Sequence, residues 1–347
     1  MRSCSQEKDS NTPDVRAGHA ACNRGGVVAF AIEAVELVKV FKGGVRAVDG
    51  LNLEVEAGTV FGLLGPNGAG KTTVVRILTT VFLPDAGRAS VLGHDVVSQA
   101  EAVRANIGLA GQFAAVDENL TGLENLRMIG QLTRLGRKRA VSRANDLLEL
   151  FELTDAAKRM AKTYSGGMRR RLDLAAALLH SPSVLFLDEP TTGLDPYSRQ
   201  ALWNVIEELV NEGTTVLLTT QYLEEADRLA KVIAVVDHGS VIAKGTPSEL
   251  KSMLGATLID LEMSTNEDAD RVRKLLSEKT GKQARLVGAG VEISLDRGPA
   301  QVRELLDMMD SADLMPVRLN LREPSLDDVF LTLTGRIAEE GPKEGME

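Results

Sequence analysis

The residues Gly65, Pro66, Asn67, Gly68, Ala69, Gly70, Lys71, Thr72 and Thr73 run consecutively and fit the spacing G-x-x-x-x-G-K-T. Small residues at that spacing let successive backbone N–H groups turn inward and cradle phosphate oxygens. A helix beginning near Lys71 would aim the positive end of its dipole at the same anion. Lys71 can then reach β- and γ-phosphates, and the Thr72 hydroxyl can ligate Mg²⁺. A phosphate site of this kind needs an acid at the end of a buried strand. Val184-Leu185-Phe186-Leu187-Asp188-Glu189 supplies it. Asp188 is suited to hold Mg²⁺ through water. Glu189, the next residue, is placed to polarise an attacking water as general base.

Those side chains need a scaffold that brings distant segments together. Residues 31–40 read as a strand, with LNLEVEAG from Leu51 as its hairpin-like partner. VFGLL at 60–64 is a short continuous apolar run, typical of a strand buried on both faces. Residues 99–160 read as mostly helical, each segment with one apolar stripe. After Ser165, helix and strand alternate: MRRRLDLAAALLH, SVLFLD, SRQALWNVIEELVNEG, TTVLLTT, LEEADRLA and VIAVVD. That alternation predicts a mainly parallel sheet covered by helices. From about Ala256 the pattern becomes β-α-β-β-α-β, a small ferredoxin-like unit. Leu326, Val329, Phe330 and Leu333 then form one apolar helical face.

Composition narrows the function classes. The 347 residues suffice for about two domains. Lys and Arg number 40 against 49 Asp and Glu, a net charge of −9, which disfavours a nucleic-acid partner. Aromatics at 3% leave little material for stacking on bases. The two cysteines, Cys4 and Cys22, lie in a polar N-terminal stretch, so no disulfide framework is expected. No apolar run approaches the roughly 18 residues that a membrane span requires. A membrane role would have to come through a partner.

Tyr164-Ser165-Gly166-Gly167-Met168-Arg169 lies shortly before the acid strand. It resembles the Leu-Ser-Gly-Gly-Gln signature of the ATP-binding-cassette (ABC) ATPases, with Tyr164 for Leu and Met168 for Gln. In physical terms Ser165, Gly166 and Gly167 form a second anion nest at a helix start. The resemblance implies an α/β fold: a P-loop NTPase cassette with a mostly parallel sheet, an antiparallel β subdomain and a helical subdomain. It implies ATP and Mg²⁺ as bound species. It places Gln112 in the loop that senses Mg²⁺ and water, Asp195 in a loop that touches the opposite subunit, and Phe41 where an aromatic stacks on adenine. Where most of the family have a histidine near the γ-phosphate, this chain has Gln221. Glutamine can donate and accept but carries no proton charge. ATP binding with modest turnover is expected from it.

The segment Glu323-Pro324-Ser325-Leu326-Asp327-Asp328-Val329-Phe330-Leu331 narrows the resemblance to daunorubicin-resistance-type drug-export ATPases. The tail helix is expected either to pack on the small domain or to dock a partner. The expected organisation is a disordered extension over 1–30, a cassette over 31–255 with its helical subdomain at about 113–160, an α+β domain over 256–335 and a disordered tail over 336–347. The resemblance implies a homodimer that sandwiches ATP between Lys71 of one copy and Ser165 of the other. It also implies a separately encoded integral-membrane permease, an apolar cargo met only indirectly, and a peripheral position at the cytoplasmic face of the cell membrane. The alternatives are a lipid or polysaccharide export ATPase and a soluble ABC ATPase without a transport role.

Overall fold

The computed structural model describes residues 30–111, 116–255, 257–282, 284–295 and 299–335. Two long strands, β1 (Phe30–Phe41) and β2 (Val45–Glu56), pair antiparallel, with Ala34 opposite Leu53. Their alternating burial matches the expected hairpin. Next come β3 (Val60–Leu64), α1 (Lys71–Leu78), β4 (Ala86–Val91), β5 (His94–Asp95), α2 (Ala100–Asn106) and β6 (Ile107–Ala110). The first sheet has the order β2-β1-β4-β5. The sequence did not reveal β4, whose AGRASV run lacks a clean apolar alternation. It did not reveal β6 either: that strand has four residues and falls inside a stretch read as helical.

The helices α3 (Gly122–Leu132), α4 (Arg137–Leu150) and α5 (Gly166–Leu178) follow. Thr121 and Glu124 cap α3 reciprocally, a capping box that fixes where the helix begins. Beyond them the chain alternates: β7 (Val184–Asp188), α6 (Pro196–Asn211), β8 (Thr215–Thr220), α7 (Leu223–Leu229), β9 (Val232–Asp237), β10 (Ser240–Gly245) and α8 (Pro247–Ser252). The second sheet has the order β10-β9-β3-β8-β7-β6. The pairs within β9-β3-β8-β7-β6 are parallel, and β10 joins antiparallel at the edge. Every residue of β3, β7 and β8 is buried, as a sheet covered on both faces demands. One apolar cluster lies on each face of that sheet.

The third sheet is built from β11 (Thr257–Glu262), β12 (Arg285–Val287), β13 (Gly290–Leu295) and β14 (Arg318–Arg322). Its order is β12-β13-β11-β14, all antiparallel, with α9 (Asn266–Thr280) and α10 (Pro299–Ser311) between the strands in sequence. This is the expected β-α-β-β-α-β unit. Its own core gathers Ile259, Leu261, Val272, Leu276 and Ile293.

The last helix, α11 (Leu326–Thr334), departs from the simpler expectation of packing on the small domain. Leu326, Val329 and Phe330 join the cassette's core cluster, together with Ala226 and Leu229 of α7 and Leu250 of α8. The helix is tied back to the third sheet by charge. Arg322 donates to Asp260 at 3.0 Å and to Asp328 at 2.5 Å, and pairs with Glu292. The α11 helix therefore clasps the two units together. No helix among the described residues is long and apolar enough to cross a membrane.

Burial alone would push the Asp328 carboxyl up, but the Arg322 and Ser325 hydrogen bonds outweigh it and the pKa is lowered. The stabilisation is therefore present above the ordinary aspartate value of 3.8 and is lost as pH falls through the lowered folded-state value. Asp328→Ala removes both this pairing and the carboxylate half of the capping box with Ser325. It is expected to cost about 2 kcal/mol in urea unfolding near neutral pH. An unchanged midpoint would contradict the clasp.

Candidate functional site

The glycine loop joins β3 to α1, and its glycines are required by close backbone approaches. A Cβ on Gly65 would stand 2.3 Å from the carbonyl oxygen of Val236 on β9. One on Gly70, at φ +105°, would stand 2.2 Å from the carbonyl oxygen of Ala47 on β2. Neither gap admits a side chain. Gly68 is also left-handed, and Ala69 N donates to Pro66 O at 3.2 Å. Asn67 to Thr73, Ala47 and Glu189 line a cleft of about 280 Å³. No acidic residue of α1 itself occupies its first turn, and its positive end faces the cleft. Lys71 opens that helix and is 4% exposed. Its Nζ donates to Gly65 O at 2.7 Å and Pro66 O at 3.1 Å, and lies 3.6 Å from Glu189 Oε1.

The acid pair arrives from β7, with β8 lying between it and β3. Asp188 Oδ1 accepts from Thr72 Oγ1 at 3.2 Å and from Thr219 Oγ1 at 2.5 Å. Glu189 N donates to both the carbonyl and the hydroxyl oxygen of Thr219, each at 3.1 Å. Glu189 is left-handed, with φ 51°. A non-glycine residue held there stores strain, a feature that clusters at working sites. Lys71, Thr72, Asp188 and Glu189 thus meet although the two pairs lie more than a hundred residues apart.

The signature segment lines a second cleft, of about 340 Å³, with Gly166, Arg169, Arg170, Gly193 and Glu189 among its walls. Glu189 borders both clefts. Ser165 caps α5, its hydroxyl oxygen accepting from Met168 N at 3.2 Å. A Cβ on Gly167 would approach Ser198 Oγ to 3.0 Å. Ser198 in turn donates from its backbone N–H and its hydroxyl to Asp195, at 2.8 and 2.7 Å. Those bonds hold the Asp195 carboxyl below its usual range and anchor α6, whose first residue is Pro196. Phe41 closes β1 opposite Val45, with its ring edge-on to Phe82 at 5.6 Å and 37% of the residue exposed. Gln221 directly follows β8 and is half-buried. Gln112 lies outside the described residues.

Two further groups at this site were not read from the sequence. Thr219 bridges Asp188 and Glu189; its signal was a hydroxyl at the polar end of the buried run TVLLTT. Glu225 on α7 is fully buried, its Oε1 accepting from Trp203 Nε1 at 3.2 Å. Its Oε2 and the Thr191 hydroxyl are both buried without a partner of good geometry. Burial pushes the Glu225 carboxyl up, opposed by Thr220, Trp203 and Thr191. In sequence Glu225 is one of two adjacent acids in LEEADRLA, and nothing in that run marks which of them turns inward.

The strand, glycine cradle and acid pair define a P-loop nucleotide-hydrolysing cassette. Residues 48–192 match the ABC transporter family model, and residues 245–334 match the family described as ATP-binding protein DrrA1-3-like, C-terminal domain. The daunorubicin/doxorubicin resistance ATP-binding protein DrrA of Streptomyces peucetius is 50% identical, over 90% of this chain and 95% of that protein. The doxorubicin resistance ATP-binding protein DrrA of Mycobacterium tuberculosis (strain H37Rv) is 46% identical, over 84% of this chain and 90% of its own length. A solved ATP-binding cassette of an ABC transporter in its ADP conformation superposes with a TM-score of 0.58 at 27% identity. It covers 64% of this chain and 92% of its own. The chain belongs to the ABC transporter ATP-binding proteins of the DrrA daunorubicin/doxorubicin resistance family. Its reaction is ATP hydrolysis coupled to transport.

The buried Glu225 generates a pH test. Its folded state favours the protonated carboxyl, so its stabilisation is full below the ordinary glutamate value of 4.5. That stabilisation declines as pH rises through the raised folded-state value. Gln is uncharged throughout and escapes the decline. Glu225→Gln is expected to raise the thermal midpoint by about 2–4 °C at pH 8 and to leave it near wild type at pH 5. Parallel pH profiles for the two proteins would refute the assignment.

Proposed function

We propose that this chain powers the export of an apolar drug of the daunorubicin or doxorubicin kind through a separately encoded membrane permease. In this reading it works as a peripheral subunit at the cytoplasmic face of the cell membrane. The observation that carries it is the meeting of Lys71 and Thr72 with Asp188 and Glu189, in a chain half identical to a drug-resistance ATP-binding protein along nine-tenths of its length. The segment 31–255 is the motor. The unit over 256–335 is held to it by α11.

The roles follow from placement. The backbone of Gly65 to Gly70 cradles the β-phosphate, and Lys71 swings from the loop carbonyls to the β- and γ-oxygens. Phe41, exposed beside β2, stacks on adenine. Thr72 and Asp188 present a hydroxyl and a carboxylate 3.2 Å apart, hard oxygen donors that suit Mg²⁺. No cluster of three or more His, Cys, Asp or Glu among the described residues could hold a metal without help. That fits an ion completed by phosphate and water, with Gln112 as a further ligand. Bound there, Mg²⁺ would neutralise charge developing on the phosphate oxygens. Glu189 takes the proton of the attacking water, and Thr219 keeps its backbone in place. Gln221 donates to the γ-phosphate or to that water.

One chain presents half of each complete site. The phosphate loop and the signature segment line different clefts, which supports a head-to-tail homodimer. Ser165 and the glycines after it would cap the γ-phosphate held by Lys71 of a second copy, with Asp195 near the seam. ATP binds the closed dimer better than the open one and so drives closure by differential affinity. Loss of the γ-phosphate releases it.

Steady-state hydrolysis by the full chain tests the roles. Glu189→Gln is expected to lower kcat by about 100-fold or more while nucleotide affinity stays near wild type. Gln221→His is expected to turn over at least as fast as wild type. Wild-type rates in the Glu189 variant would sink the base assignment, and a large fall in the histidine variant would sink the view that glutamine merely fills that role.

A further inference from the structure

Arg170 sits in the basic run MRRRLD of α5, and charged side chains in such a run ordinarily face solvent. Its side chain is instead 13% exposed and turned inward. Nε donates to Pro190 O at 2.8 Å, Nη1 to Gly111 O at 2.5 Å and Nη2 to Asp188 O at 3.2 Å. All three nitrogens of one guanidinium are therefore spent on backbone carbonyls. Two of those carbonyls belong to the residues on either side of Glu189, and the third belongs to Gly111, the residue after β6.

We propose that Arg170 is the positioning residue that holds Glu189 in its left-handed turn, by gripping the carbonyls on either side of it. The inference rests on Glu189 being the base. The peptide between Asp188 and Glu189 is fixed on both edges, its carbonyl by Arg170 and its N–H by Thr219. The peptide after Pro190 is fixed by the Arg170 Nε bond. Between them the proline ring sets its own φ, so only φ and ψ of Glu189 and ψ of Pro190 lie between the two anchored peptides, and closing that short span constrains them together. A residue at φ 51° without such support would relax towards an ordinary basin and carry its carboxylate away from the cleft.

The arrangement needs arginine specifically. A planar fork can donate to three carbonyls at once, whereas a lysine ammonium is a point donor on a flexible stem. Charge compensation is local. Burial lowers the Arg170 pKa, while Asp173 and Asp188 oppose that shift and hold its charge in place. Arg170 also lies five residues after Ser165 on the same helix. A shift of α5 at its signature end is thereby felt at the base of the same chain's own site.

The test uses the full chain with Mg²⁺ and ATP, comparing wild type, Arg170→Lys, Arg170→Ala, Glu189→Gln and the double variant Arg170→Lys/Glu189→Gln. Turnover, KM, nucleotide affinity and thermal midpoint are read for each. Arg170→Lys is expected to lower kcat by about 10- to 100-fold with nucleotide affinity within about threefold of wild type. In the Glu189→Gln background the same change is expected to alter the residual rate by less than about twofold, because the group it positions is gone. Wild-type kcat in Arg170→Lys would overturn the proposal. So would equal fold-losses in the two backgrounds, or a loss of affinity matching the loss of turnover. Should Arg170→Ala fail to fold, the lysine variant and the double-variant comparison still decide. Wild-type turnover in Glu189→Gln would instead remove the base reading on which the proposal stands.

Discussion

The site depends on the register of three neighbouring parallel strands. Leu64 of β3 lies opposite Thr220 of β8, and Thr219 of β8 lies opposite Asp188 of β7. That alignment sets the mouth of the glycine loop, the two threonines and the acid pair at one edge of the sheet. It is the crevice beyond the carboxyl ends of the strands, where open α/β sheets present ligand sites. A slip of one residue in β8 would turn Thr219 away from Asp188 and Glu189. Packing against both faces of β3, β7 and β8 opposes it.

Around that edge the charges are few, little exposed and mutually dependent. Lys71 is held by two loop carbonyls with Glu189 nearby, and Asp188 by two threonine hydroxyls. Arg170 closes the ring from the α5 side, on the carbonyls that bracket Glu189. Each group is partly satisfied by a neighbour that nucleotide phosphate would replace or reinforce. Such a network is rigid in its backbone and adaptable in its side chains, which suits a site that must respond to one phosphate group.

Much of this was legible in the sequence, for physical reasons. The glycine spacing is forced by approaches that no Cβ survives, as at Gly65 and Gly70, so the motif marks its own geometry. Buried strands such as β3 and β7 announce themselves as unbroken apolar runs. The short edge strand β6 did not, because four residues carry too little periodicity to compete with the helices around them. Arg170 and Glu225 were hidden for a different reason. Each lies in a charged helical run whose members look alike in sequence, and only packing decides which one turns inward. The docking of α11 on the cassette rather than on the adjacent sheet was equally invisible. Its apolar face shows that it packs, and the tertiary arrangement decides where.

In the proposed dimer a single chain carries half a site, and ATP joins the two halves. That joining is tested most directly by the solution mass of the hydrolysis-blocked Glu189→Gln protein, measured by light scattering with and without ATP and Mg²⁺. A mass near twice the 37.2 kDa chain is expected with ATP, and one near the single-chain value without it. A mass that stays at one chain under saturating ATP, in protein shown to bind the nucleotide, would contradict the proposed dimer.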